Sequence, residues 1–368
     1  MLVLIREAGE IGIKSPRTRA RMEAVLINNI KKVLNVKKVE KDGGILIIDT
    51  EDDLNKLKKI FGVASFSPII RLEFKNLEEL ITLSKEVFKD KVKGKKFAVR
   101  VRRVGNHSFT SLDVARLLGA ELYPYSNGVD LKNPDIEVYI DIRDYKAYLY
   151  SEIIKGPKGL PVGTSGKTVV LFSGGFDSPV ATWFMMKRGN LPIILNFILG
   201  GKLHKELVLK EVEVLREWSG GNTLTVFFID GIRVQASLSK IEPRIRVVVL
   251  KRVMYRTAEI LAKKFGIHSI TTGESLSQVS SQTVWNLEAT EYGISLPIFR
   301  PLIGFDKDEI ISYAKIIGTY EISSRLPEYC VISTKSTTRA KIEEVIKGEE
   351  SAGINYEELV DNAEVINI

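Results

Sequence analysis

The chain has very little cysteine and histidine. Cys330 is its only cysteine, and its three histidines stand far apart at 107, 204 and 268. One cysteine excludes an intrachain disulfide framework, a zinc knuckle and an iron–sulfur cluster held by several cysteines of one chain, and the histidines have no metal-ligand spacing. No uninterrupted apolar run approaches the ~18 residues a membrane span needs. The opening Met1-Leu2-Val3-Leu4-Ile5-Arg6-Glu7 is too short an apolar stretch for a secretory leader, so a soluble cytoplasmic protein without membrane association is expected. A Walker A loop is also missing. Gly166-Lys167-Thr168 imitates its end, but Pro161 stands where the pattern requires glycine, and the segment runs into a strand.

What is present is size and charge. The 368 residues suffice for two or three domains. The net charge is +8, from 54 Lys and Arg against 46 Asp and Glu. Charge alone leaves two readings open, a polyanionic partner or a solvated lysine-rich surface. Its placement is more informative: Lys95 and Lys96 precede the alternating strand Phe97-Ala98-Val99-Arg100-Val101-Arg102-Arg103, whose apolar residues face inward and basic residues outward. Arginines beside a sheet suit a phosphate backbone.

Along the chain, residues 1–75 read as a small α+β unit. It has strands over 2–6, 45–48 and 65–74 and helices over 17–34 and 52–61. Residues 76–155 form a second unit, with a helix over 77–88 capped by Asn76, the strand 97–103, a helix ending at Leu122, and strands over 136–142 and 147–154. A Gly- and Pro-rich linker covers 156–166. Residues 167–368 alternate strand and helix, the sign of a doubly wound parallel sheet. Strands are expected over 168–172, 193–197, 223–228 and 267–272, and helices over 179–188, 203–219, 244–265 and 306–317. The last opens on the capping box Asp306-x-x-Glu309 and stops at Gly318.

The chemistry concentrates at Ser173-Gly174-Gly175-Phe176-Asp177-Ser178, between an apolar strand and a helix. Two glycines let the backbone turn with its N–H groups exposed, and a helix N-terminus favours an anion. The string suits a phosphate chain, with Ser173 and Ser178 as hydroxyl donors and Asp177 as a magnesium ligand. This loop resembles that of the PP-loop ATP pyrophosphatases. The resemblance implies cleavage of ATP between the α and β phosphates and adenylylation of an oxygen.

Further motifs narrow the resemblance. The segment 97–103, Phe109-Thr110-Ser111, the stretch 129–135 and Gly159-Leu160-Pro161-Val162-Gly163 together resemble a THUMP domain, an RNA-binding module. That implies RNA contacts at Lys95, Lys96, Arg100, Arg102 and Arg103, with a module start near residue 54 in the family. Arg6-Glu7-x-x-Glu10-Ile11-x-Ile13-Lys14-Ser15 resembles the ferredoxin-like segment that precedes it. Thr272-Gly273-Glu274-Ser275-Leu276-Ser277-Gln278-Val279-Ser280-Ser281-Gln282-Thr283, then Arg300-Pro301-Leu302-Ile303, then Pro327-Glu328-Tyr329-Cys330 with Thr338-Arg339, resemble the tRNA uridine 4-sulfurtransferase family over nearly the whole chain.

The resemblance implies ATP held at Leu171, Phe172, Asn196, Phe197, Lys251, Gly273 and Gln282, with Ser173, Gly174, Gly175 and Ser178 gripping pyrophosphate. It implies Asp177 as magnesium support and Cys330 as the residue that handles sulfur. By itself a lone cysteine is more often a small buried hydrophobe. The implied reaction makes 4-thiouridine at position 8 of tRNA through an adenylylated uridine, in a homodimer. Some members add a rhodanese domain with a second cysteine. The form without it is expected here, so sulfur would arrive from a persulfide carrier (a cysteine desulfurase or separate rhodanese) or as free sulfide, and a role in thiazole synthesis is not expected. Two alternatives stay open on the residues: another PP-loop enzyme such as an amide-forming ligase, and an RNA-binding protein without catalysis.

Overall fold

The computed structural model describes residues 1–326 and 336–368. Chain contacts define two units. The first comprises Met1–Gly12, Leu34–Lys58 and Val63–Lys158, and the second comprises Ile13–Val33, Lys59–Gly62 and Gly159–Ile368.

The first unit holds two sheets. Strand Leu2–Glu7 lies between Ile45–Thr50 and Val63–Pro68, with Val36–Asp42 and Ile154–Lys155 as the edges of a five-stranded antiparallel sheet. Strand Val36–Asp42 is not anticipated from its sequence, which has only two apolar residues. It forms because Gly43 and Gly44, at φ +49° and +88°, turn the chain back along Ile45–Thr50, and its lysines suit a sheet edge. The single strand expected over 65–74 is two, Val63–Pro68 and Ile70–Glu73, in different sheets. Pro68 has no N–H to continue the ladder. The strand expected over 147–154 divides likewise into Lys146–Tyr150 and Ile154–Lys155, and the helix expected over 52–61 is a 3₁₀ turn, Leu54–Lys59.

The second sheet runs Ile70–Glu73, Lys146–Tyr150, Ile136–Arg143, Phe97–Val104, with the last pair parallel. Helices Leu77–Phe88 and Ser111–Leu122 belong to the same layer pair. Asn76 Oδ1 caps the first by accepting from Glu79 N at 2.9 Å, and Thr110 and Asp113 form a capping box on the second. Phe88, Phe97, Leu118, Val138, Ile140 and Leu149 fill the core between them.

The second unit is built on a six-stranded sheet: Ile298–Phe299, Ile270–Thr271, Lys167–Leu171, Leu191–Ile198, Thr225–Asp230, Glu364–Asn367. The first five are parallel and Glu364–Asn367 is antiparallel at the edge. The two outer strands, of two and four residues, carry too little pattern to be read from sequence. The first of these strands in chain order, Lys167–Leu171, sits inside the sheet. Leu191–Ile198 pairs on one side and Ile270–Thr271 on the other, so the strand order reverses there. In doubly wound sheets ligands bind beyond the carboxyl ends of the strands at such a switch point. Helices Asp177–Lys187, Gly201–Arg216, Pro243–Lys264 and Lys307–Ile317 cover the sheet through two apolar clusters. Among the described residues no helix is long and apolar enough to cross a membrane.

Candidate functional site

Strand Lys167–Leu171 delivers the chain into the loop 173–178 at the switch point. Gly174 takes φ +87°, a conformation that favours glycine. Ser178 Oγ accepts from Ser173 N and Gly174 N, both at 3.2 Å, and Ser173 Oγ accepts from Gly175 N at 3.4 Å. The two serines expected as donors to phosphate therefore also shape the loop. The helix opens at Asp177, two residues earlier than expected from Pro179, and Phe176 gives it no side-chain cap. Its first N–H groups are left for an anion.

Gly273, after Ile270–Thr271, closes the other wall. A Cβ there would stand 2.8 Å from Asp177 C and 2.9 Å from Ser178 N, so the segment lies directly against the helix start. Asp177 is held on both oxygens: Lys307 Nζ at 2.9 Å from Oδ1, and Gln278 Nε2 donating to Oδ2 at 3.0 Å. Sequence reading missed Lys307. A signal was available, because a lysine directly after the helix cap Asp306 sits at the positive end of the dipole, an unfavourable place for a cation.

The residues implied for ATP divide into two sorts. The rings of Phe172 and Phe197 are buried in the apolar clusters, and Phe172 N donates to Leu195 O at 3.0 Å. Asn196 is fully buried, and its Nδ2 donates to Phe172 O at 2.7 Å while its Oδ1 has no partner among the described residues. Gln282 is buried, and its Oε1 is likewise without a partner among the described residues.

Lys251 belongs to a charge network that sequence did not reveal. Its Nζ lies 2.9 Å from Glu274 Oε1; Glu274 Oε2 accepts from Tyr255 OH at 2.5 Å and Thr272 Oγ1 at 3.1 Å and pairs with Arg300 at 3.1 Å. Burial opposes ionisation of Glu274, yet the Lys251 and Arg300 charges and the Tyr255 hydrogen bond outweigh it and pull its carboxyl down to about 2. A carboxyl lowered in the folded state contributes stability above its ordinary pKa of about 4.3, lost as pH falls towards the folded value. The difference in unfolding free energy between wild type and Glu274→Gln is therefore expected to be constant above pH ~5 and to shrink progressively from pH ~4 towards 2. Urea denaturation of both proteins measures it; a gap that does not change with pH contradicts the ionised assignment.

The basic residues expected to meet RNA lie in the first unit. Lys95, Lys96 and Arg102 are exposed. Arg100 pairs with Glu137 Oε1 at 2.8 Å and donates to Leu131 O at 2.8 Å, and Arg103 donates to Gly105 O at 3.2 Å and meets His107 Nδ1 at 3.0 Å. Those two arginines are thus partly engaged within their own unit. Cys330 lies outside the described residues.

Histidine 204, which the sequence reading set aside for want of ligand spacing, is buried on helix Gly201–Arg216. Its Nε2 lies 2.9 Å from Ser173 O, the first carbonyl of the loop.

Comparison with known proteins places the chain in a family. The family model described as Thiamine biosynthesis protein (ThiI) matches residues 163–354, a THUMP domain model matches 74–152, and a ThiI ferredoxin-like domain model matches 2–67. Proteins named probable tRNA sulfurtransferase from Sulfurisphaera tokodaii and Saccharolobus solfataricus are each 57% identical, over 100% of this chain and 100% of theirs. The crystal structure of a 4-thiouridine synthetase–RNA complex with bound ATP superposes with a TM-score of 0.89 at 32% identity, covering 100% of this chain and 99% of that one. A Pyrococcus horikoshii structure superposes with a TM-score of 0.69 at 28% identity, over 86% of this chain and 99% of the other.

Proposed function

The chain belongs to the ThiI family, and we propose that it uses ATP to activate a tRNA uridine and replaces the activated oxygen with sulfur, forming 4-thiouridine. The observation that carries this reading is the loop 173–178 opening an uncapped helix at the switch point of a parallel sheet, in a chain that also carries a THUMP domain. The proposed division is 1–75, 76–155, a linker over 156–166, and a catalytic domain over 167–368.

ATP lies with its phosphates against the glycine loop and the N–H groups of the helix start, and its base beside Asn196 and Phe197. Gly273 lets the opposite wall approach, and Gln282 and Lys251 reach in from there. Uridine O4, at position 8 of the tRNA, attacks the α-phosphate and pyrophosphate leaves into the loop. Lys307 and the N–H groups of the helix start stabilise charge growing on the phosphates. Hydrosulfide, or the outer sulfur of a persulfide on Cys330, then attacks C4 and AMP departs. On the persulfide route an external thiol attacks Cys330 Sγ in the resulting C4–S–S–Cys330 disulfide and releases the thiouridine, and a second thiol returns Cys330 to the free thiol.

Among the described residues no group of three or more His, Cys, Asp or Glu is arranged to hold a metal. Magnesium commonly takes one or two protein carboxylates plus substrate phosphates. Asp177 fits that part for a magnesium ion that arrives with ATP, and the ion would neutralise phosphate charge there. Lys95, Lys96, Arg100, Arg102 and Arg103 supply the RNA contacts, the sulfur donor is a persulfide carrier or free sulfide, and the working form is a homodimer.

Incubation with unmodified tRNA, Mg-ATP and sulfide is expected to yield AMP and a tRNA band retarded on an organomercury gel. AMP without retardation would favour a ligase, and tRNA binding with neither product would leave an RNA-binding protein. With a persulfide donor, Cys330→Ser is expected to lower thiolation by more than about 100-fold, in the range of losses for a removed catalytic group, while AMP formation and tRNA binding persist. Undiminished thiolation would remove Cys330 from the mechanism.

A further inference from the structure

We propose that His204 is a positioning residue for adenylyl transfer, holding the Ser173–Gly174 peptide in the orientation that builds the phosphate cradle. The proposal rests on the reading of 173–178 as the pyrophosphate loop.

The hydrogen bonds determine which ring nitrogen carries the proton. Nδ1 faces two backbone donors, Leu199 N at 3.2 Å and Gly200 N at 3.4 Å. It must therefore accept, and the proton resides on Nε2, which donates to Ser173 O at 2.9 Å. Burial lowers the basicity of the ring, which keeps it in this neutral form.

Ser173 O and Gly174 N belong to one peptide plane. His204 holds the oxygen and Ser178 Oγ holds the N–H at 3.2 Å, so the plane is fixed at both ends. This matters beside Gly174, where rotation of the peptide meets little steric resistance and costs the unliganded loop its order. The preceding carbonyl is held in the same way, Phe172 O accepting from Asn196. Two successive carbonyls before the glycines are thus tied to strand Leu191–Ile198 and, through His204, to helix Gly201–Arg216 and the turn before it. The same helix face backs the loop: a Cβ on Gly174 would stand 2.9 Å from Val208 Cγ2 and 3.5 Å from Glu211 Oε2, one and two turns beyond His204. The Asn196 tie links the strand implied for the adenine to the loop implied for the phosphates, and the His204 tie links that loop to the helix that follows the strand.

Two substitutions separate the halves of the ring. His204→Asn places an amide near Nδ1 and keeps an acceptor for Leu199 and Gly200, but does not reach Ser173 O. His204→Gln places a donor near Nε2 and restores that reach. His204→Asn is expected to lower kcat for tRNA-dependent AMP formation by about 30- to 100-fold, the scale of a misplaced reacting group, with tRNA affinity and thermal midpoint close to wild type. His204→Gln is expected to recover activity to within about threefold of wild type. Hydrogen exchange of the peptide spanning 172–178 in the nucleotide-free protein gives a second readout, with exchange faster in His204→Asn than in His204→Gln. Equal activity, or equal exchange, in the two variants overturns the proposal. If wild type itself makes no AMP, the functional reading falls, while the exchange comparison still decides whether His204 orders the loop.

Discussion

Asp177→Asn is expected to lower tRNA-dependent AMP formation by about 10²–10³-fold, the scale seen when one preorganised charge-stabilising group is removed. Asp177 stands on the first turn of the helix that opens from the loop, where it meets Lys307 and Gln278 at once. Asparagine keeps the shape and an acceptor for Gln278, but it neither attracts Lys307 nor presents a charged oxygen to magnesium. The loss should not come from unfolding. The paired side chains are 23% and 45% exposed, and an ion pair of that kind contributes at most about 1 kcal/mol to stability. Lys307→Met tests the other partner. If the pair works as a unit, the double variant is no worse than the poorer single one; independent roles would multiply the losses. Partial rescue of Asp177→Asn by raised magnesium would assign the carboxylate to the metal. Wild-type AMP formation in Asp177→Asn would show that the loop assignment is wrong.

This cluster also marks how far the sequence could be read. Local pattern revealed the loop, because strand, glycines and helix are consecutive, and the segment 272–283 was picked out by its family resemblance. The capped helices Leu77–Phe88 and Lys307–Ile317 were legible from Asn76, Asp306 and Gly318, whose roles depend on near neighbours. Contacts between distant residues were not legible. Lys307 reaches Asp177 across 130 positions, His204 reaches Ser173 across 31, and Arg300 reaches Glu274 across 26. Of these side chains Lys307 alone carried a signal of its own, its place at the start of a helix; the others, read singly, are ordinary surface or core residues. Arg100 and Arg103 show the converse: they read as free basic residues on a strand face, yet Glu137 and Gly105 engage them. The strand errors have a similar cause. Val36–Asp42 is a strand through its partner's ladder, and the stretch 65–74 divides because successive residues pair in different sheets.

Gly273→Ala should strike the fold and the site together. The added methyl would meet Asp177 C at 2.8 Å, Ser178 N at 2.9 Å and Asp177 O at 3.0 Å, all backbone atoms that no rotamer change can move aside. The helix they begin cannot easily retreat, because Val180, Ala181, Trp183 and Met186 are buried in the core beneath it. Overpacking of this kind costs about 1–3 kcal/mol. The strain would be relieved by moving the helix start whose N–H groups face the phosphates, so ATP affinity should fall with stability, by more than about tenfold for a displacement near 1 Å. Gly175→Ala provides the contrast: nearest to its added methyl is Ser173 Oγ at 3.7 Å, and its stability should stay within about 0.5 kcal/mol of wild type. Urea denaturation and ATP titration of both variants distinguish the cases. If Gly273→Ala were as stable as wild type and bound ATP equally well, the two walls at the switch point would not be in the close contact that sets the width of the nucleotide crevice.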